Sequence, residues 1–200
     1  VASTIGKLAM DACLYLNQNF GFISFPEELT TGSSIMPHKK NPDVFELIRS
    51  RCNTLQAVPQ EITLITTNLP SGYHRDLQLL KEKLFPAFGQ LKDCLKMTHL
   101  MLSNIEVKQG LLKDKKYKYL FSVEEVNKLV LQGIPFRDAY KVIGQSIEKG
   151  EFNYSDQVHH THEGSMGNLC NEEIQRMMKT EIQSFQFDSV NEKLERLIQE

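Results

Sequence analysis

Apolar residues return every three or four positions along most of the chain, the period of an α-helix lying against a core. In residues 1–19, Ile5, Leu8, Ala9, Ala12 and Leu16 fall on one helical face. Gly21 follows, a residue able to take positive φ and stop that helix. The stretch FISFPEELTTGSSIMP carries two prolines and Gly-Ser-Ser, which predicts a loop. A second helix has clear start signals: Asn41 is a favoured N-cap, Pro42 suits the first turn, and Asp43 and Glu46 complement the helix dipole. Val44, Leu47, Ile48, Arg51 and Leu55 continue it, and Pro59 predicts a kink or break. Periodicity resumes at Ile62 and Ile65 and stops at NLPSG.

A third long helix is predicted from Asp76. Its Leu77, Leu80, Leu84, Phe88, Leu91 and Leu95 are spaced 3, 4, 4, 3 and 4 apart, the narrow seam of a helix bundle, with Pro86 as an irregularity. From about residue 114 the pattern changes. KDKKYKY is polar and basic, and shorter amphipathic segments follow at 122–131, 135–147, 171–180 and 188–199. No stretch alternates with period two, so no sheet is expected. The predicted fold is all-α: long helices of a central helical bundle over 1–113, then a small helical C-terminal domain over 114–200.

Composition narrows the partners. The 200 residues are 40% apolar and 24% charged with net charge -2, which gives no electrostatic case for nucleic acid or an anionic membrane. No apolar run nears the roughly 20 residues of a membrane span. Cys13, Cys52, Cys94 and Cys170 form no CxxC pair and read as free thiols of a reducing, cytoplasmic compartment. The chain starts at Val1, inside a helical pattern and without a signal-peptide start, so a piece of a longer protein is expected.

Two polar stretches carry candidate chemistry. TTGSSIMPHKKNPD places Ser33 and Ser34 after Gly32, with Lys39, Lys40 and Asn41 at the start of a helix. Unpaired N–H groups, a positive dipole end and a lysine favour an anion there, or a group that gains negative charge during reaction. The pattern is not a Walker loop. LPSGYHRDLQLLKE places Tyr73, Gln78 and Lys81 at the start of the third helix. Gln78 and Lys81 lie three apart on one face, and a phenol, an amide and an ammonium suit a carboxylate-bearing ligand. HHTHEG has ligand-type residues at His159, His160, His162 and Glu163, but no second cluster completes a site, so a surface loop and no metal are expected.

GSSIMPHKKNPD resembles the GSSxMPxKxNP signature of the fumarase/aspartase superfamily. NQNFGFISFPEELTTGSS, LPSGYHRDLQLLKE and LVLQGIPFRDAYKVIG are similar to the corresponding segments of its argininosuccinate lyases. His38 is more like adenylosuccinate lyase, and His74 stands where Asn is common. The resemblance implies cleavage of argininosuccinate to arginine and fumarate by anti β-elimination without a metal or organic cofactor. It implies Ser33 as base, Lys39 as stabiliser of the aci-carboxylate, and Glu46 as the residue that orients a histidine from elsewhere. Ser34, Asn41, Tyr73, Gln78 and Lys81 would bind substrate. It further implies a homotetramer for the full-length protein, with active sites built from three sequence regions, so these 200 residues alone are expected to be inactive. Another superfamily lyase such as adenylosuccinate lyase, or a non-catalytic crystallin-like scaffold, is the alternative reading.

Overall fold

The structure is a computed structural model that describes residues 1–32, 35–36, 39–158 and 160–199, the last of these by its backbone only. It divides into two compact units, Val1–Leu111 and Leu112–Glu200. Among the described residues the fold is all-α apart from one two-residue strand pair.

The first unit is built on helices α1 (Ala2–Leu16), α2 (Asp43–Leu55), α3 (Val58–Ile65) and α4 (Leu80–Ser103). A 3₁₀ helix, Arg75–Leu79, leads into α4. Ile5, Ala9 and Ala12 of α1, Phe45, Ile48 and Cys52 of α2, and Cys94 and Met101 of α4 form one buried cluster together with Phe25. α1 and α2 pack closely at Gly6, where a Cβ would lie 3.4 Å from the Cβ of Cys52, in ordinary contact. Arg49 Nη1 reaches Met10 Sδ across the same contact at 3.1 Å. Cys52 and Cys94 meet at the centre, where burial first, and then the neighbouring Cys94 thiol, push Cys52 up to about 11.

Several expectations change. α1 ends at Leu16, and Gly21 does take positive φ but only after the turn that follows. Leu8 is exposed while Ile5, Ala9 and Ala12 are buried. A short antiparallel pair, β1 (Ile23–Ser24) with β2 (Glu106–Val107), interrupts the predicted loop, and Ser24 Oγ donates to the Glu106 carboxylate at 2.9 Å. Two residues per strand are too few for any alternation to show in sequence. Pro59 falls within the first turn of α3, where its missing N–H costs nothing, so the break lies between α2 and α3.

The largest correction concerns α4. Leu84, Phe88 and Leu95 of the predicted seam are 38%, 58% and 45% exposed. The face turned to the unit's own core is Cys94, Thr98 and Met101, with Leu91 packed against it. Thr98 is tolerated there because its hydroxyl donates to the Cys94 carbonyl at 2.7 Å. α4 continues through Pro86 without a break.

The second unit contains α5 (Ser122–Leu131), α6 (Phe136–Glu148), α7 (Asn171–Ser184) and α8 (Phe187–Gln199). The basic KDKKYKY stretch forms a 3₁₀ helix, Lys115–Phe121, whose first turn is capped by Asp114 accepting from the Lys116 N–H at 3.1 Å. Phe121, Val126, Ala139 and Phe152 are the buried apolar residues described in this unit. Tyr154 stacks on Phe121 and on Phe152 with centroids 4.9 and 5.8 Å away. The Ser155 N–H donates to Glu125 at 3.0 Å and His160 Nε2 lies 3.0 Å from Glu124, so Ser155 and His160 are tied to α5.

Candidate functional site

The first unit carries both polar stretches. Thr31 and Asn41 form an isolated antiparallel bridge, with the Asn41 N–H donating to the Thr31 carbonyl at 2.9 Å. Asn41 Nδ2 donates to the Gly32 carbonyl at 3.3 Å. Asn41 therefore does not cap α2, which starts at Asp43 after Pro42 with no side-chain cap. The bridge commits the Asn41 backbone and turns its amide back toward residue 32. Asp43 instead accepts a hydrogen bond from Thr31 Oγ1.

The signature side chains are differently placed. Lys39 and Lys40 are exposed, and the Lys39 N–H donates to the Met36 carbonyl at 3.0 Å. Glu46 is exposed one turn into α2. Its charge acts with that of Arg49 on Cys13, whose thiol burial pushes up, while Arg49 opposes and Glu46 adds to the effect. Ser33, Ser34 and His38 lie outside the described residues.

The second stretch is joined by its own hydrogen bonds. Gln78 Nε2 donates to the Tyr73 hydroxyl, and Lys81 Nζ donates to Gln78 Oε1 at 2.7 Å. Gln78, in the 3₁₀ turn over Arg75–Leu79, and Lys81, in the first turn of α4, are three apart on one side, and Tyr73 comes just before the turn. All three side chains are exposed, Tyr73 at 68%. An ammonium and a phenol therefore stand exposed side by side with the Gln78 amide between them. Among the described residues, no hydrogen bond or ion pair links Lys39, Asn41 or Glu46 to this group.

Sequence reasoning did not single out three residues of this region as site residues. Thr31 and Asp43 pair across twelve positions, a separation that no local rule flags. His74, beside Tyr73, buries its Nε2 without a hydrogen-bond partner among the described residues. Its place in the sequence signals nothing beyond the departure from Asn. A cleft of about 230 Å³ between α2 and α4 is lined by Val44, Leu47, Ile48, Arg51 and Cys94, and holds none of the signature or Tyr73-group residues. Among the described residues, no group of three or more His, Cys, Asp or Glu is placed to hold a metal. His160 is occupied by Glu124, and His159 lies outside the described residues.

Residues 1–56 match a family model described as Lyase. The chain is 60% identical over 198 residues to an argininosuccinate lyase of Parabacteroides distasonis, covering 99% of this chain and 44% of that protein. The chain belongs to the argininosuccinate lyase family. A second member, from Bacteroides fragilis, is 58% identical over 96% of this chain and 43% of its own length. The Aquifex aeolicus member is 38% identical over 76% of this chain. The chain thus spans less than half the length of the family members it matches. Among solved structures, EDDS lyase in complex with formate aligns with a TM-score of 0.63 at 19% identity, over 74% of this chain and 31% of that one. A fumarate lyase:delta crystallin from Brucella melitensis aligns at 0.58 and 21% identity, over 75% and 32%. These two likenesses share the helical fold of the family.

Proposed function

We propose that this chain supplies part of the active site of an argininosuccinate lyase that splits argininosuccinate into arginine and fumarate. The observation that carries the reading is the hydrogen-bonded Tyr73–Gln78–Lys81 group in the same unit as the signature stretch, in a chain 60% identical to a named argininosuccinate lyase. In this reading residues 1–113 belong to a central helical bundle and 114–200 to a C-terminal domain.

Ser33 is the base. Its hydroxyl oxygen, as alkoxide, takes the proton from the carbon adjacent to the scissile centre. The electron pair of that C–H bond passes first into the neighbouring carboxylate as an aci form, then into the C=C bond of fumarate. The C–N bond breaks as it does so, and the departing guanidino nitrogen takes a proton from water, which is made good when Ser33 gives up the one it removed. The aci-carboxylate carries two negative charges, so the largest barrier reduction comes from cationic and N–H groups aimed at it. Lys39 and the unpaired N–H groups at the start of α2 fill that role. Ser34 and Asn41 hold a substrate carboxylate; for Asn41 this requires its amide to leave the Gly32 carbonyl. Tyr73, Gln78 and Lys81 hold the remainder of the substrate. Glu46 orients a histidine from another part of the longer protein.

That longer protein is a cytoplasmic homotetramer in this reading. Two observations support it: the chain's span of under half the family length and the exposed apolar stripe of α4. No described helix is long and apolar enough to cross a membrane. The deciding experiment supplies argininosuccinate to the full-length polypeptide and follows fumarate by its ultraviolet absorbance. Turnover that is lost with Ser33→Ala supports the reading. Turnover of adenylosuccinate in preference to argininosuccinate overturns the substrate, and full activity of Ser33→Ala overturns the base.

A further inference from the structure

The signature stretch leaves the chain at Thr31 and returns at α2, and two side chains outside the proposed substrate contacts join those ends. Thr31 Oγ1 donates to the Asp43 carboxylate, directly beside the backbone bridge in which the Asn41 N–H donates to the Thr31 carbonyl at 2.9 Å. An aspartate in the first turn of a helix has two ready uses, to complement the dipole and to accept from nearby N–H groups. Here Asp43 instead takes a hydroxyl from twelve residues earlier. A hydroxyl-to-carboxylate bond is charge-assisted and directional, so it fixes distance and rotation together.

We propose that Thr31 and Asp43 are a positioning pair, which sets the register of Lys39 and Asn41 against the start of α2 and thereby the place where the substrate carboxylate is held. The inference rests on the lyase reading above. The backbone bridge alone fixes one point between the two segments and leaves them free to rotate about it. The Asn41 amide bond to Gly32 sits on the same residue, whereas the Thr31–Asp43 bond adds a point on α2 itself. Asn41 is bound on one side to the Thr31 carbonyl and on the other to Gly32, so a rotation there displaces its amide directly. Lys39, two residues before it, moves with it.

The test uses the full-length polypeptide with Thr31→Val, Thr31→Ser, Asp43→Asn and the double variant Thr31→Val/Asp43→Asn. kcat and KM for argininosuccinate are measured alongside hydrogen exchange of the peptide spanning residues 31–43. Thr31→Val is expected to lower kcat/KM by about 10–100-fold, the scale on which small misplacement of a reacting group acts. It should also speed exchange at the Asn41 amide. Thr31→Ser, which keeps the hydroxyl, should stay within about threefold of the parent, and the double variant should lose no more than the worse single one. Losses that multiply in the double variant overturn the pairing, as does a fall in stability with kcat/KM and exchange unchanged. If Thr31→Val does not fold, Asp43→Asn, equal in shape, decides by the same two measurements. A parent without turnover on any such substrate overturns the lyase reading, and the exchange data still decide the clasp: unchanged exchange in Thr31→Val sinks it.

Discussion

Phe45→Ala and Leu84→Ala form a pair that decides which apolar stripe holds the first unit together. Phe45 is fully buried, with its ring centroid 5.6 Å from that of Phe25 and its side chain inside the α1–α2–α4 cluster. Truncation there removes a ring from a closed space, and the transfer and cavity contributions together cost about 3–5 kcal/mol. Leu84 is 38% exposed on the outer side of α4. Its truncation leaves an open notch that water fills, so only the transfer part remains, about 1–1.5 kcal/mol at ~0.8 kcal/mol per buried CH₂. A fully buried leucine would have cost about 2–5 kcal/mol, so the two readings of α4 differ measurably. The assay is hydrogen exchange across α1 and α2 at increasing urea, which reads the opening free energy of this unit separately from that of Leu112–Glu200. It is run at the lowest workable protein concentration, because association through the exposed stripe would add cost to Leu84→Ala. Equal losses for the two variants under dilute conditions would falsify the assignment of the core to Phe45, Ile48, Cys52, Cys94 and Met101.

Three further outcomes are expected. In the full-length polypeptide, Ser33→Ala should cut kcat by about 10²–10⁴-fold while calorimetry shows argininosuccinate still bound, because the base acts only in the transition state. Lys81→Met should raise KM by about tenfold or more with a smaller change in kcat, and Tyr73→Phe should follow in the same direction more weakly, since it removes a neutral hydroxyl and not a charge; an unchanged KM in both excludes this group from binding. Burial alone would push Glu125 up, but the hydrogen bonds from Lys128 and from the Ser155 N–H outweigh it and hold the carboxyl below its ordinary value. A carboxyl depressed in the folded state contributes stability that is present above its unfolded pKa and is lost as pH falls through the folded one. The second unit should therefore weaken as pH drops below about 4.3, and Glu125→Gln should flatten that part of the urea-midpoint profile.

The sequence was most informative where local rules act alone. The bounds of α5, α6 and α8 lie within a residue of the predicted amphipathic segments, with Gly133 and Gly150 after α5 and α6 both at positive φ, whereas α7 runs on to Ser184, past the predicted end at 180. The Pro59 break was equally legible, because proline acts on its own helix. The choice of buried face was not. In α2 the predicted set of Val44, Leu47, Ile48 and Leu55 includes the buried Ile48 but misses Phe45 and Cys52, and in α4 the Leu84–Leu95 stripe competes with Cys94, Thr98 and Met101. Periodicity gives a helix its stripes, and only the neighbouring helices of the folded chain select among them. Asn41 illustrates the same limit at a site residue: its capping propensity is real, but a bridge to Thr31 ten residues away takes precedence. The Tyr73, Gln78 and Lys81 grouping was legible because all three lie within two turns of chain.

The meeting of Cys52 and Cys94 has a chemical meaning beyond packing. With burial and the neighbouring Cys94 thiol pushing Cys52 up to about 11, the thiolate is disfavoured at neutral pH and the sulfur is a poor nucleophile while α2 and α4 stay together. Any excursion that parts those helices uncovers two sulfurs at once and restores their ordinary reactivity. An alkylating or oxidising encounter at that moment would block the helices from closing again, so the same two atoms that complete the interior also make its opening hard to reverse.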